Sequence, residues 1–345
     1  MRAAIFYGPG DLRLEDVPST EPGPGEILVE VKAAATCGTD LKSYRRGHPK
    51  LFPTVPARFG HEFAGVVSAV GDGVTAFTPG MRVVSANSAP CYECWACKIN
   101  RQSLCENLEF LNGAFAEQIV VPASIVARNT YQLPDTLAFE AAAPLEPLAT
   151  VVHGMAESGI TLGDVVVVHG AGPIGLMFVR LATLRGASVV CVDRSAWRLE
   201  QAASAGAVET IDLTDLATPE DHAKAIRYVT PGGRGADVGI EAAGLPEVWE
   251  QAVQTLRPGG TAVLFGGPPR GTSFAVDTVD MHYSEYTLKG VFHHTPQYVQ
   301  TAVSLLSTGK VDGYSLITET RPLDRLVDSL EDMAQGKGSK YILTP

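Results

Sequence analysis

At 345 residues the chain exceeds what one hydrophobic core normally serves, so two domains are expected. A composition of 45% hydrophobic and 19% charged residues is that of an ordinary globular protein and excludes dependence on disulfide staples. A net charge of −11 excludes general nucleic-acid affinity, and no apolar run approaches the ~18 residues needed to span a bilayer.

The segment Met1–Gly8 runs straight into a strand and a turn, without the apolar stretch and cleavage site of a secretory signal, and this predicts a cytoplasmic protein. Residues 1 to about 145 read as short strands: Ala3–Tyr7, Leu12–Val17, Ile27–Ala34, Phe63–Val70, Arg82–Ser85, Phe115–Val121 and Ile125–Ala127. Glu21-Pro22-Gly23-Pro24-Gly25 and similar Gly/Pro clusters punctuate them, as in a compact, partly closed β-barrel. From about residue 135 the pattern changes. Ala149–Ser158 predicts a helix, and Val165–His169 is a continuous apolar run of the kind covered on both faces of a parallel sheet. Helices predicted at Leu176–Arg185, Ala196–Ala205 and Pro219–Tyr228 alternate with strands at Ser188–Val192, Val238–Glu241 and Thr261–Phe265. This β-α-β succession predicts a doubly wound parallel sheet. A strand at Tyr286–Phe292, helices at Gln297–Thr308 and Leu323–Gln335, and the apolar Tyr341–Leu343 complete the chain.

The stretch Gly60-His61-Glu62 places an imidazole and a carboxylate at the entrance of an apolar strand. With Cys37 upstream in Cys37-Gly38-Thr39-Asp40 and Glu146 downstream in Leu145-Glu146-Pro147, thiolate, imidazole and carboxylate around one ion describe a catalytic zinc site with an open position. Cys91-x2-Cys94-x2-Cys97-x7-Cys105 is a second cluster, too crowded for mutual bridging and suited to a structural zinc. An iron–sulfur cluster is the competing assignment, against which no Pro follows the last Cys. The lobe holding these cysteines has too little apolar content to hold itself together, so an ion would do so.

Gly170-Ala171-Gly172-Pro173-Ile174-Gly175 follows a predicted strand, opens a helix, and precedes Asp193 at the end of the next strand. That is the full context of a dinucleotide fingerprint. Asp193 is expected to accept from the adenosine ribose hydroxyls and repel a 2′-phosphate, favouring NAD over NADP. Arg194 and Arg198 complicate that preference, although helix-start charges packing on the adenine would account for both.

With these residues assembled, the whole chain resembles the medium-chain zinc-dependent dehydrogenases. The resemblance implies an α/β protein: a GroES-like, partly open β-barrel catalytic domain (1–148 and 290–345) and a Rossmann NAD-binding domain (149–289). Glu146-Pro147 resembles the sorbitol- and threonine-dehydrogenase branch, which implies a hydride transfer between a secondary alcohol and NAD. The catalytic residues implied are Cys37, Thr39, His61, Glu62 and Glu146, with either Glu62 or Glu146 on the zinc and Thr39 opening a proton path. The alternative for Glu62 is to orient a ligand from behind without touching the metal. Substrate contacts are expected from Tyr44, Phe59, Phe110 and His293. A homodimer or homotetramer is implied, through an edge strand near Phe274–Val279, with a small-molecule partner and neither nucleic acid nor membrane.

Two positions depart from the family pattern. Lys42 stands where a His relay exit is common, and His293-His294 follow Val291-Phe292 where Arg-Tyr is common. Lys42, Arg45, Arg46, Lys50 and Arg58 with His48 form a basic stretch, expected either to attract an anionic sugar or to be a solvated or inter-subunit surface. L-Threonine 3-dehydrogenase and sugar-phosphate dehydrogenase activities are the alternatives of the same chemistry. A non-catalytic relative or a zinc-free reductase would be expected to lack these ligands.

Overall fold

Apolar residues are buried throughout Ile27–Ala35 and in the first half of Glu62–Val70, and these two strands form the antiparallel centre of the first sheet, with Ala35 opposite Glu62 and Ala34 opposite Phe63. The computed structural model describes residues 1–49 and 51–345. Its strands follow the order Thr130–Gln132, Arg82–Ser85, Glu62–Val70, Ile27–Ala35, Tyr341–Thr344 and Glu319–Pro322, and Gln118–Val121 also pairs with Ile27–Ala35. A smaller sheet joins Asp11–Asp16, Arg2–Gly8 and Ala57–Arg58. Phe6, Ile27, Val29, Phe63, Phe115, Ile119 and Tyr341 fill the core of this unit, Met1–Ala149 with His294–Pro345.

Two expected strands differ. Ile125–Ala127 lies within the helix Ala123–Asn129, which begins after Pro122 and buries Ile125, Val126 and Asn129 on one face. A β-branched pair too short to form a ladder follows the turn that proline starts. Phe115 precedes the strand Gln118–Val121 and makes separate backbone bonds, donating to Phe59 O at 3.1 Å and accepting from Ala4 N at 2.8 Å.

The second unit, Thr150–His293, is built on six parallel strands in the order Glu209–Asp212, Ser188–Asp193, Val165–His169, Ala236–Glu241, Leu256–Leu264 and Thr287–Gly290. The helices Pro173–Leu184, Ala196–Ala205, Pro219–Tyr228 and Pro246–Gln254 connect them. Three of these helices start on proline, whose missing N–H is harmless in the first turn. This is the expected doubly wound sheet. Its edge is Thr287–Gly290 and not the expected Phe274–Val279. There Asp277 accepts from Val279 N and Asp280 N and so caps the helix Thr278–Tyr283. Among the described residues no helix is long and apolar enough to cross a membrane.

Candidate active site

Cys37 is the N-cap of the helix Gly38–Arg46, with its Sγ accepting from Thr39 N at 3.2 Å while Asp40 Oδ2 accepts from Cys37 N at 2.9 Å. That reciprocal capping fixes the thiol at the helix start. The other oxygen of Asp40 lies 3.2 Å from His61 Nδ1. A proton on Nδ1 therefore leaves the Nε2 lone pair facing Cys37 Sγ, 3.3 Å away. His61 is held at this point by Gly60, whose φ of +92° and approach to the Phe115 ring, 2.4 Å from where a Cβ would stand, admit no side chain.

Glu62 and Lys340 are fully buried and paired, Lys340 Nζ donating to Glu62 Oε2 at 2.5 Å and to Thr36 O at 2.8 Å. The strand Tyr341–Thr344 delivers that lysine, since Tyr341 N donates to Thr36 Oγ1 at 2.9 Å and Ile342 stands opposite Ala35. Glu62 Oε1 is buried without a hydrogen-bond partner. Burial pushes Glu62 up to about 7 against the pull of Lys340 and His61. Burial works to lower His61, yet Cys37 and Asp40 hold it well above the ordinary imidazole range. An orphaned carboxylate oxygen, a thiol and an imidazole nitrogen whose ligand atoms all lie within 4.8 Å fit a zinc ion.

Glu146, in the first turn of the helix Leu145–Glu157, is outside that three-residue set. It stands near enough to feel His61 and Lys340, although burial raises it overall. The structure thus brings Cys37, His61 and Glu62 together directly and Glu146 to their margin.

In the four-cysteine lobe the sulfurs of Cys91, Cys94, Cys97 and Cys105 also lie within 4.8 Å of one another, with Cys91 and Cys105 at 3.5 Å and Cys94 and Cys105 at 3.9 Å. Ligands about 2.3 Å from a tetrahedral ion stand about 3.8 Å apart, so the set fits zinc without a disulfide. Backbone N–H groups of Glu93 and Cys94 point at Cys91 Sγ, each at 3.4 Å, and lower that thiol to about 6. Burial raises Cys97 to about 12. The remaining cysteine, Cys191, is buried in the strand Ser188–Asp193.

In the second unit the glycine loop leads into the helix Pro173–Leu184, whose N-cap Gly172 offers no side-chain cap and has nothing within 4 Å of where a Cβ would stand. A Cβ on Gly175 would fall 1.8 Å from Gly170 O. Open backbone N–H groups at a helix start, beneath a turn only glycine can make, fit a pyrophosphate. Ile174 is half-buried beside Pro173 in the first turn. Asp193 fastens this loop to the next strand: Oδ2 accepts from Ala171 N at 2.7 Å, and Oδ1 from Arg194 N at 2.8 Å and Ser195 N at 2.9 Å. Arg194 is exposed and Arg198 half-buried.

Of the residues expected to touch substrate, Phe59 is corrected. It has no exposed surface and packs against the rings of Phe52, Phe6 and Phe115, with centroids 5.4, 5.5 and 6.1 Å away, so it serves the core. Tyr44 packs on the same core and lines a small cavity with Leu41, Leu330 and Glu331. Phe110 is half-buried in a two-residue strand opposite Ser88. His293 adopts φ of 61° and its carbonyl accepts from His153 Nδ1 at 2.8 Å, whereas the buried His294 donates through Nε2 to Asn87 Oδ1 at 3.1 Å. In the basic stretch Lys42, Arg45 and Arg46 are exposed, Arg58 donates to Thr20 Oγ1 at 3.2 Å, and Lys50 lies outside the described residues. The sequence missed Asp40 and Lys340. Asp40 was legible as the third residue of a helix capped by Cys37, but Lys340 reaches its partner across 278 residues.

A parallel nucleotide-binding sheet together with a Cys-His-Glu cluster and a four-cysteine lobe defines a zinc- and dinucleotide-dependent oxidoreductase. The comparisons agree. Residues 23–135 match the alcohol dehydrogenase GroES-like domain and residues 173–308 the zinc-binding dehydrogenase family. The chain is 33% identical to sorbitol dehydrogenase of Gallus gallus, over 99% of this chain and 95% of that one. It is 32% identical to L-threonine 3-dehydrogenase of Chromobacterium violaceum, over 99% and 98%. Among solved structures, a Sinorhizobium meliloti protein described as a zinc-binding dehydrogenase, bound to NADP, superposes with a TM-score of 0.91 at 32% identity over 100% of this chain and 99% of that one. The chain belongs to the zinc-binding medium-chain dehydrogenases, with a GroES-like and a Rossmann domain, and is an enzyme of alcohol oxidoreduction.

Proposed function

We propose that the protein oxidises a secondary alcohol of the polyol or sugar class to the ketone while reducing NAD+ to NADH, with release of one proton. The buried set Cys37–His61–Glu62, with His61 fixed by Asp40 and one oxygen of Glu62 left without a protein partner, carries this assignment. Zinc, when bound there, polarises the carbinol hydroxyl and lowers its pKa. Cys37 and His61 are the ligands, and Glu62 and Glu146 are the two carboxylates that contend for the remaining place. Thr39, whose N–H already binds Cys37 Sγ, accepts the hydroxyl proton through its own hydroxyl and passes it outward; Lys42, one turn further along the same helix, is a candidate exit.

On the second unit the glycine loop takes the pyrophosphate. Asp193, on the strand that follows, favours the unphosphorylated ribose of NAD by repelling a 2′-phosphate. Tyr44, Phe110 and His293 are the candidate substrate contacts. Two or four copies assemble in solution, with the sheet edge Thr287–Gly290 as the pairing element, and six free cysteines suit the reducing cytoplasm.

The similarity to L-threonine 3-dehydrogenase, 32% against 33% for sorbitol dehydrogenase, makes L-threonine oxidation the second assignment. NADH formation followed against polyols, sugars, sugar phosphates and L-threonine, with NAD+ and NADP+ in parallel and zinc measured on the same sample, tests both. Turnover with polyols on NAD+ that is lost on chelation is the expected result. Turnover with L-threonine alone replaces the substrate class, and a preference for NADP+ removes the role given to Asp193.

A further inference from the structure

Glu241 closes the strand Ala236–Glu241, opposite His169 at the end of the neighbouring strand, and it is fully buried. Its carboxylate is held by backbone N–H groups, with Oε1 accepting from Ala243 at 2.7 Å and Gly244 at 2.6 Å, and Oε2 from Gly266 at 3.0 Å. The carbonyl of the same residue accepts from Phe265 N and Gly266 N, each at 3.2 Å. One residue thereby ties together the turns that follow two adjacent strands. A buried carboxylate is an expensive way to gain stability, because an apolar residue of similar volume does as well or better. What three charge-assisted hydrogen bonds supply is a fixed geometry for the two turns.

Those turns touch each other and the glycine loop. A Cβ on Gly266 would lie 2.2 Å from Gly244 N, and one on Gly244 would lie 2.9 Å from Gly267 O. Gly170 approaches Ala242 C and Ala243 Cβ, each 3.5 Å from where its own Cβ would be. In a doubly wound sheet the dinucleotide lies across the carboxyl ends of the strands, one mononucleotide half on each side of the first strand. Asp193 marks the adenosine side, on the strand Ser188–Asp193. Ala236–Glu241 and Leu256–Leu264 lie on the other side of Val165–His169.

We infer that Glu241 is a positioning residue for the nicotinamide half of the cofactor site, holding the turns 242–244 and 265–267 where that half binds. The inference rests on the assignment of a nicotinamide dinucleotide to the glycine loop. It is tested by comparing NADH with ADP-ribose, which lacks the nicotinamide, by fluorescence titration and calorimetry. Glu241→Gln sets an amide N–H against the backbone N–H groups. It should raise the Kd for NADH roughly 10-fold, the scale set by losing one hydrogen bond to a charged group, while the Kd for ADP-ribose stays within about 2-fold.

Gly267→Val supplies a second route should Glu241→Gln not fold, because Gly267 is exposed and nothing lies within 4 Å of its Cβ position. It should weaken NADH and spare ADP-ribose in the same way. Equal weakening of both ligands in either variant, or unchanged NADH affinity, overturns the inference. A wild-type protein that binds neither ligand overturns the dinucleotide assignment itself, and the inference with it.

Discussion

In the Cys37–His61–Glu62 cluster the side chains are oriented by separate segments: Asp40 holds the imidazole, Lys340 the carboxylate, and the helix that Cys37 itself caps holds the thiol. In the lobe Cys91–Cys105 the ligands come from one short stretch, their sulfurs face one another, and backbone N–H groups of that stretch serve them. Exposed Trp95, Ile99 and Leu104 show that the lobe has no core of its own. The fold positions the first set, whereas the second set would need a bound ion to hold its lobe together. A mixed set with an unsaturated oxygen suits exchange and chemistry, and a closed all-sulfur set suits permanence.

The comparison is broken most directly by removing one thiol from each site. Cys37→Ala should abolish turnover, by roughly 10³-fold or more given the several kcal/mol a Lewis acid supplies, while the melting temperature and the lobe's protease resistance stay near wild type. Cys105→Ser should do the reverse, opening residues 91–105 to limited proteolysis while folded protein keeps measurable turnover. A Cys37→Ala protein that unfolds, or a Cys105→Ser lobe that stays resistant, would erase the distinction.

Lys340→Met sharpens it. Leaving the Glu62 carboxylate buried without its partner should destabilise the catalytic unit by about 3–5 kcal/mol in denaturant titrations, with Lys340→Arg far milder. His169, in the second unit, serves as a control. Burial lowers it to about 4, between Gln251 Oε1 at 3.3 Å and Thr255 Oγ1 at 3.1 Å. Because an unfolded histidine titrates near 6.5, the unfolded state binds more protons between these values. This contribution is therefore whole above about pH 6.5 and lost as pH falls toward 4, by about 3 kcal/mol. Unfolding followed against pH should show less of this slope in His169→Gln than in wild type. The smallest effect expected is that of Asp40→Asn, which keeps the shape but not the charge behind His61; zinc competition should show roughly 10- to 100-fold weaker binding at the catalytic site and none at the lobe.

Much of this was legible in the sequence because the signals are local. The glycine loop, the four-cysteine spacing and the apolar run Val165–His169 each carry their meaning within a few residues, and the parallel sheet follows from their alternation. What stayed hidden depends on distant partners. Phe59 stands one residue before Gly60-His61, a position that suggests substrate contact, but three other phenylalanines draw it inward. Ile125–Ala127 has strand-forming residues and becomes helical because Pro122 starts a turn and no ladder is offered. Lys340 carries no local signal at all. A lysine before a short apolar strand is commonplace, and only the register of Tyr341–Thr344 with Ile27–Ala35 brings it to Glu62.

That register also bears on the order of biogenesis. The four lobe cysteines lie within one short stretch and leave the ribosome almost together. Glu62, by contrast, waits for Lys340, so the whole second unit, residues 150–293, is synthesised before that carboxylate gains its partner. During that interval the carboxylate lacks the cation that balances it, and the N-terminal barrel lacks the strand Tyr341–Thr344 beside Ile27–Ala35. The four-cysteine set is thus complete early in synthesis, whereas the Glu62–Lys340 pair is complete only near its end.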